Sequence, residues 1–144
     1  MASSKIVVGV DGSEPSARAV AWCAEHASAF GAEVVVVHAI DIPLYIGIGS
    51  VYMSAPTMTE SQRDNVRDII ARDWCKALAD AGIPHRILLL DGAPVQVITQ
   101  VAQEEDAVLI VTGRRGRGGF AELVLGSTSH GLTHHVDRPL LIVP

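Results

Sequence analysis

Aromatic residues are scarce in this chain. Two Trp, two Tyr and two Phe make up 4% of its 144 residues. The apolar half of the composition, 49% of residues, is therefore aliphatic, which suits a sheet buried on both faces. There are two cysteines, Cys23 and Cys75, and they lack metal or redox spacing; they read as buried thiols in a reducing compartment. Charged residues are only 19% and mean hydropathy is +0.32, which excludes a disordered chain. A basic excess is missing too: 11 basic residues face 16 acidic ones, for a net charge of −5, which disfavours a nucleic-acid binder. Apolar runs such as Val34–Val37 and Ala107–Val111 fall far short of the roughly 18 residues of a membrane span. The N-terminus offers Lys5 and then only Ile6–Val10, too short for the h-region of a secretory signal, so a cytoplasmic protein is expected. Three motifs are absent as well. There is no G-x-x-x-x-G-K-[ST] phosphate loop, no G-x-G-x-x-G after the first strand, and no G-x-S-x-G elbow.

The length fits one domain spanning residues 1–144. Five short runs rich in Val, Ile and Leu read as strands: Lys5–Val10, Glu33–Ala39, His85–Leu90, Ala107–Thr112 and Pro139–Val143. None alternates cleanly, as expected of central strands covered on both sides. Helical spacing lies between them. Ser13 caps a first helix with a stripe at Ala17, Val20, Ala21, Ala24 and Ala27, ended by Gly31. Thr59 and Gln62 form a capping box for a second, with Val66, Ile69, Ile70, Ala77, Leu78 and Ala81 facing inward and Gly82 and Pro84 stopping it. A third starts near Pro94 and carries Val97, Ile98 and Val101; a fourth runs from about Ser127 to Val136. Strict β-α alternation predicts a doubly wound parallel α/β sheet with helices on both faces. The connection Asp41–Met58 is too long for a plain joint and reads as either a lid or a floppy insert.

Doubly wound sheets bind ligands beyond the carboxyl ends of their strands, where strand order reverses. The first strand ends in Gly9-Val10-Asp11-Gly12-Ser13. Gly9 leaves space beside the strand, and Asp11 either accepts hydrogen bonds from a ribose hydroxyl or an exocyclic amine, or serves as a turn aspartate. The fourth strand ends in Thr112-Gly113, followed by Arg114, Arg115, Gly116, Arg117, Gly118 and Gly119. Glycine-rich backbone can aim several N–H groups at one anion, and the arginines form the dense basic cluster of an acidic chain. Gly126-Ser127-Thr128-Ser129 opens the last helix, where free amides and the helix dipole favour an anion; the alternative is ordinary capping by Ser127. His130 and His134, spaced i, i+4, could clasp a metal but have no evident third ligand. His38 and His135 read as packing or surface histidines, and Glu104-Glu105-Asp106 as a solvated helix end.

Taken together, the spacing is Gly113-x2-Gly116-x9-Gly126-Ser127. This resembles the signature of the ATP-binding branch of the universal stress protein family, G-x2-G-x9-G-[ST]. Ile6–Ser16 resembles that family's first strand and turn, His38-Ala39-Ile40-Asp41 its second strand end, and Pro139–Pro144 its last strand. The resemblance covers about residues 5–144. It implies a five-stranded sheet in the order 3-2-1-4-5, of the adenine nucleotide alpha-hydrolase-like type, with its switch point between strands one and four. It places Gly9, Val10 and Asp11 on the adenine and ribose side, with Ala39 against the base. Thr112, Gly113 and Gly116 approach ribose and phosphates; Gly126, Ser127, Thr128 and Ser129 hold the phosphate tail; Arg115 is a phosphate partner.

The expected protein is a nucleotide-binding stress-response regulator that takes ATP, with or without Mg, and has neither a catalytic residue nor a protein metal site. A slow ATPase, or a binder of AMP or cyclic AMP, is the alternative. Gly113→Ala and Asp11→Ala are both expected to remove binding without unfolding the chain. The apolar last strand, left as a sheet edge, predicts a homodimer through Leu140–Val143. No nucleic-acid or membrane partner is expected.

Overall fold

The computed structural model describes residues 2–41, 58–115 and 125–144. Its elements run β1 (Ser4–Gly9), α1 (Glu14–His26), β2 (Ala32–Ile40), α2 (Glu60–Ile69), α3 (Lys76–Asp80), β3 (His85–Asp91), α4 (Pro94–Glu104), β4 (Leu109–Gly113), α5 (Ser127–His135) and β5 (Leu140–Val143). The five strands form one parallel sheet in the order β3-β2-β1-β4-β5. Each expected strand is present with ends shifted by a residue or two.

Successive strand residues alternate between two apolar layers. Ile6, Val8, Val34, Val36 and Val111 face α1 and the α2–α3 segment, together with Val20, Cys23, Ile70, Cys75 and Leu78. Val7, Val35, Val37 and Ile110 face α4 and α5, together with Val97, Ile98, Val101 and Leu132. The central strands are apolar on both sides because both sides are covered, which is why no alternation shows in the sequence. Both thiols lie in the first layer, and burial pushes Cys23 up to about 12 and Cys75 up to about 11, so neither is a thiolate near neutrality.

Two helix faces differ from expectation. On α1 the buried residues are Ser16, Ala19, Val20 and Cys23, while Ala17 is exposed. Alanines mark a helix face poorly, and Ser16 is tolerated inside because its Oγ accepts a hydrogen bond from the Asp11 N–H. Between α2 and α3 the chain makes a π turn, Ile70–Trp74, closed by Cys75 N–H donating to Ile70 O at 2.8 Å. The wider turn displaces the side-chain stripe. Ile69 is thus 41% exposed and Ala81 is also outside, while Ile70, Cys75 and Leu78 are fully buried.

The helix starts follow local chemistry. Ser13 caps α1, Gly31 ends the following 3-10 turn (Ala27–Phe30) at φ +59°, and Thr59 and Gln62 make a reciprocal capping box. Gly131 sits inside α5 because a Cβ there would lie 2.6 Å from Val95 Cγ2 on α4. Glu105 is not solvated: it pairs with Arg86, while Asp106 at the same helix end is exposed and reaches Arg138.

Candidate functional site

The register Val8↔Val111 between β1 and β4 puts the ends of both strands side by side at the switch point. Helix α1 leaves this point on one face of the sheet, and α4 covers the other face. Gly113 packs against the first turn of α1: a Cβ there would lie 2.6 Å from the Pro15 carbonyl carbon and 2.8 Å from its oxygen. The absence of a side chain is therefore a packing requirement, whatever its ligand role. Gly113→Ala must displace α1, so the expectation of lost binding without a folding defect does not hold for that variant. Beside Gly9, the open space expected from sequence is filled by Ile98, whose Cδ1 would stand 2.6 Å from an added Cβ.

Asp11 forms a turn. Its Oδ1 accepts from the Ser13 N–H at 2.9 Å and from the Ser13 hydroxyl at 2.5 Å. Ser13 Oγ accepts in turn from the Ser16 N–H at 3.3 Å. Gly12 between them stands at φ +80°, a conformation that favours glycine. The carboxylate therefore supports the cap of α1 from the mouth of the switch point. Of the two roles open from sequence, the turn role is the one these bonds show.

The start of the glycine-rich connection and the tip of α5 are joined directly. Arg114 N–H donates to Val143 O at 2.7 Å, anchoring the turn to the end of β5. Arg114 O accepts from the Gly126 N–H at 2.7 Å and from Ser129 Oγ at 2.7 Å. Gly126, not Ser127, is the N-cap, and no side chain caps the helix, so the alternative of ordinary capping by Ser127 is not what this helix start shows. A glycine cannot cap with a side chain, and the first amides of a helix have no intrahelical acceptor. Ser127 is exposed at the first helical position, Thr128 is half-buried and Ser129 is buried. The Ser129 hydroxyl is spent on carbonyls of Arg114 and Gly126, which leaves its main-chain amide as the group it can offer an anion. Arg115 follows the joint, half-buried, and Thr112 is buried on β4. Gly116, Arg117 and the 42–57 segment lie outside the described residues, so the lid reading and the second signature glycine do as well.

The β1–β2 ladder ends here too. Val10 N–H donates to Val37 O at 2.9 Å, and Gly92 N–H donates to Ile40 O at 3.0 Å. Odd-numbered residues of β2 thus point their main-chain polar groups toward β1 and even-numbered ones toward β3. Ala39 is the next odd residue. Its N–H and C=O face the space that β1 has vacated, and no ladder bond to β1 reaches them among the described residues. Two contacts at this end were invisible in the sequence. Arg63 on α2 places Nη2 2.6 and 2.7 Å from the two oxygens of Asp91 at the end of β3. His38 Nδ1 lies 2.8 Å from Val10 O. Each links residues 28 apart, beyond the reach of any local pattern. On α5, His130 and His134 meet edge to face at 4.8 Å, and the described residues hold no cluster of three or more metal-ligating side chains.

Known proteins share both chain and fold. A protein from Thermus aquaticus described as a universal stress protein is 36% identical over 140 residues, covering 96% of each chain. Universal stress protein YxiE of Bacillus subtilis is 29% identical over 152 residues, covering 97% of this chain and 98% of its own. Among solved structures, a universal stress protein in complex with cAMP superposes with TM-score 0.71 at 26% identity, over 99% of this chain and 98% of that one. The Archaeoglobus fulgidus universal stress protein in complex with dAMP superposes with TM-score 0.73 at 22% identity over the full length of both. The Usp model, described as the universal stress protein family, matches residues 3–144. With the strand order and the turn-to-helix joint already in place, the chain belongs to the universal stress protein family.

Proposed function

We propose that this chain is an adenine-nucleotide-binding regulator of the stress response, holding ATP at the carboxyl ends of β1 and β4. The observation that carries the reading is the joint at Arg114. Two hydrogen bonds to one carbonyl set the α5 tip beside the start of the glycine-rich turn, where amides of Ser127, Thr128 and Ser129 can converge on phosphate oxygens. Ala39 offers a neighbouring N–H and C=O, the pair that the N1 and 6-amino edge of adenine requires. Asp11 holds the turn between base and phosphate, and Arg115 adds positive charge near the phosphate end. Binding is regulatory rather than catalytic: the described side chains at this end offer no positioned general base for an attacking water. The protein is cytoplasmic, and pairs with a second copy through the edge strand β5.

One specific observation favours a second reading. The relative bound to cAMP is 26% identical and matches over nearly the whole chain, so a monophosphate is the competing ligand. Calorimetric titration with ATP, AMP and cyclic AMP separates the two. Saturable ATP binding that outcompetes cyclic AMP is expected; preference for cyclic AMP would replace ATP with the second reading, and no binding of any adenine nucleotide would remove both.

A further inference from the structure

His38 sits one residue before Ala39, on the opposite face of β2, and its imidazole crosses to β1. Nδ1 lies 2.8 Å from Val10 O. A carbonyl oxygen only accepts, so Nδ1 carries the hydrogen and the tautomer is fixed. Trp74 at the end of the π turn holds the ring from the other side, edge to face, with centroids 5.2 Å apart. In a regular parallel ladder Val10 O would accept from Ala39 N–H, because Val10 N–H already donates to Val37 O and the next bond follows two residues on. That bond is absent, and the imidazole stands in its place.

We infer that His38 is a positioning residue: by taking the Val10 carbonyl it keeps the Ala39 amide out of the ladder and available to a purine edge. This rests on the nucleotide reading above. The two strands must part at this level for a planar base to enter, yet Val10 is buried and its carbonyl cannot be left without a donor at low cost. A side-chain donor resolves the conflict. It satisfies the carbonyl and leaves the neighbouring main-chain donor open. The π turn then has a role, since it turns Trp74 inward to fix the ring.

The test joins amide hydrogen exchange by NMR with titration of ATP and of tripolyphosphate, a probe that has phosphates and no base. In the wild-type protein the Ala39 amide should exchange much faster than that of Val37, and ATP should slow it. In His38→Ala the Val10 carbonyl should capture the Ala39 amide. Ala39 exchange then slows, and ATP affinity falls about tenfold, the worth of one hydrogen bond. Tripolyphosphate affinity stays put. His38→Asn, whose amide can reach the same carbonyl, should restore both readouts. Slow Ala39 exchange in the wild type overturns the inference without any variant. So does an equal loss of ATP and tripolyphosphate affinity in His38→Ala, which a merely structural histidine would give. If the wild type binds no adenine nucleotide, the functional reading fails, while the exchange of Ala39 in the two proteins still decides whether His38 holds the ladder open.

Discussion

The two ends of the sheet are built from different chemistry. At the amino end, charged side chains cross the strands in a row: Lys5 on β1 pairs with Glu33 on β2, Glu33 with Arg86 on β3, and Arg86 with Glu105 at the end of α4. Each of these four charges meets its opposite. At the carboxyl end one ion pair, Arg63 with Asp91, sits at the end of β3, while the polar groups around the switch point are main-chain amides, hydroxyls, His38 and a turn aspartate. The first end holds the fold closed and the second presents a surface. Strand direction dictates the difference, because parallel strands gather all their outgoing loops and helix N-termini at one end.

Gly113→Ala should give the largest effect and blur this division. Its methyl group meets the backbone of Pro15, so stability should drop by about 2–3 kcal/mol, read as a lower melting temperature. A variant that melts like the wild type would show that α1 yields easily. Ser127→Asp should sharpen the division. An acidic residue in the first turn favours the helix by about 0.3–1 kcal/mol, while its charge repels phosphate. The melting temperature should hold or rise, and ATP affinity should fall tenfold or more in calorimetry. A parallel loss of both would place Ser127 in the fold rather than the site.

Glu33→Gln should do the reverse. It weakens two ion pairs whose side chains are between about one-fifth and two-fifths exposed, where water screens part of the interaction, so a loss of about 1 kcal/mol is expected with ATP affinity unchanged. The smallest effect is one of pH. The hydrogen bond from Lys5, then its charge and those of Arg86, hold Glu33 below its ordinary value of 4.5. A depressed carboxylate contributes stability above its unfolded value, and this is lost as pH falls through the lower folded value. Wild-type stability should therefore decline below about pH 4.5, and the decline should be shallower in Glu33→Gln. Identical acid profiles would show that this row of charges does not govern the amino end.

Much of this fold is legible in the sequence because its signals are local. Val-rich runs give the strands, Ser13 and the Thr59–Gln62 pair give helix starts, and the spacing from Gly113 to Gly126 brings turn and helix tip together. What escapes is non-local or subtractive. The π turn at Ile70–Trp74 leaves no mark in a 3.6-residue pattern, so Ile69 reads as buried when it is not. Gly9 reads as room beside the strand and Gly113 as backbone that approaches a phosphate, whereas Ile98 and Pro15 occupy the space their missing side chains leave. Nothing local explains a glycine at 131 inside a helix, whereas Val95 packed against it from α4 does. His38 looks like any strand histidine, since its partner Val10 lies on another strand.

The most direct test is to add ATP to isotopically labelled wild-type protein and follow its amide signals. The account predicts saturable shifts at Ser127, Thr128, Ser129 and Ala39, with Glu33 and Arg86 at the far end of the sheet unmoved. Shifts confined to that far end, or none at any ATP concentration, would contradict it.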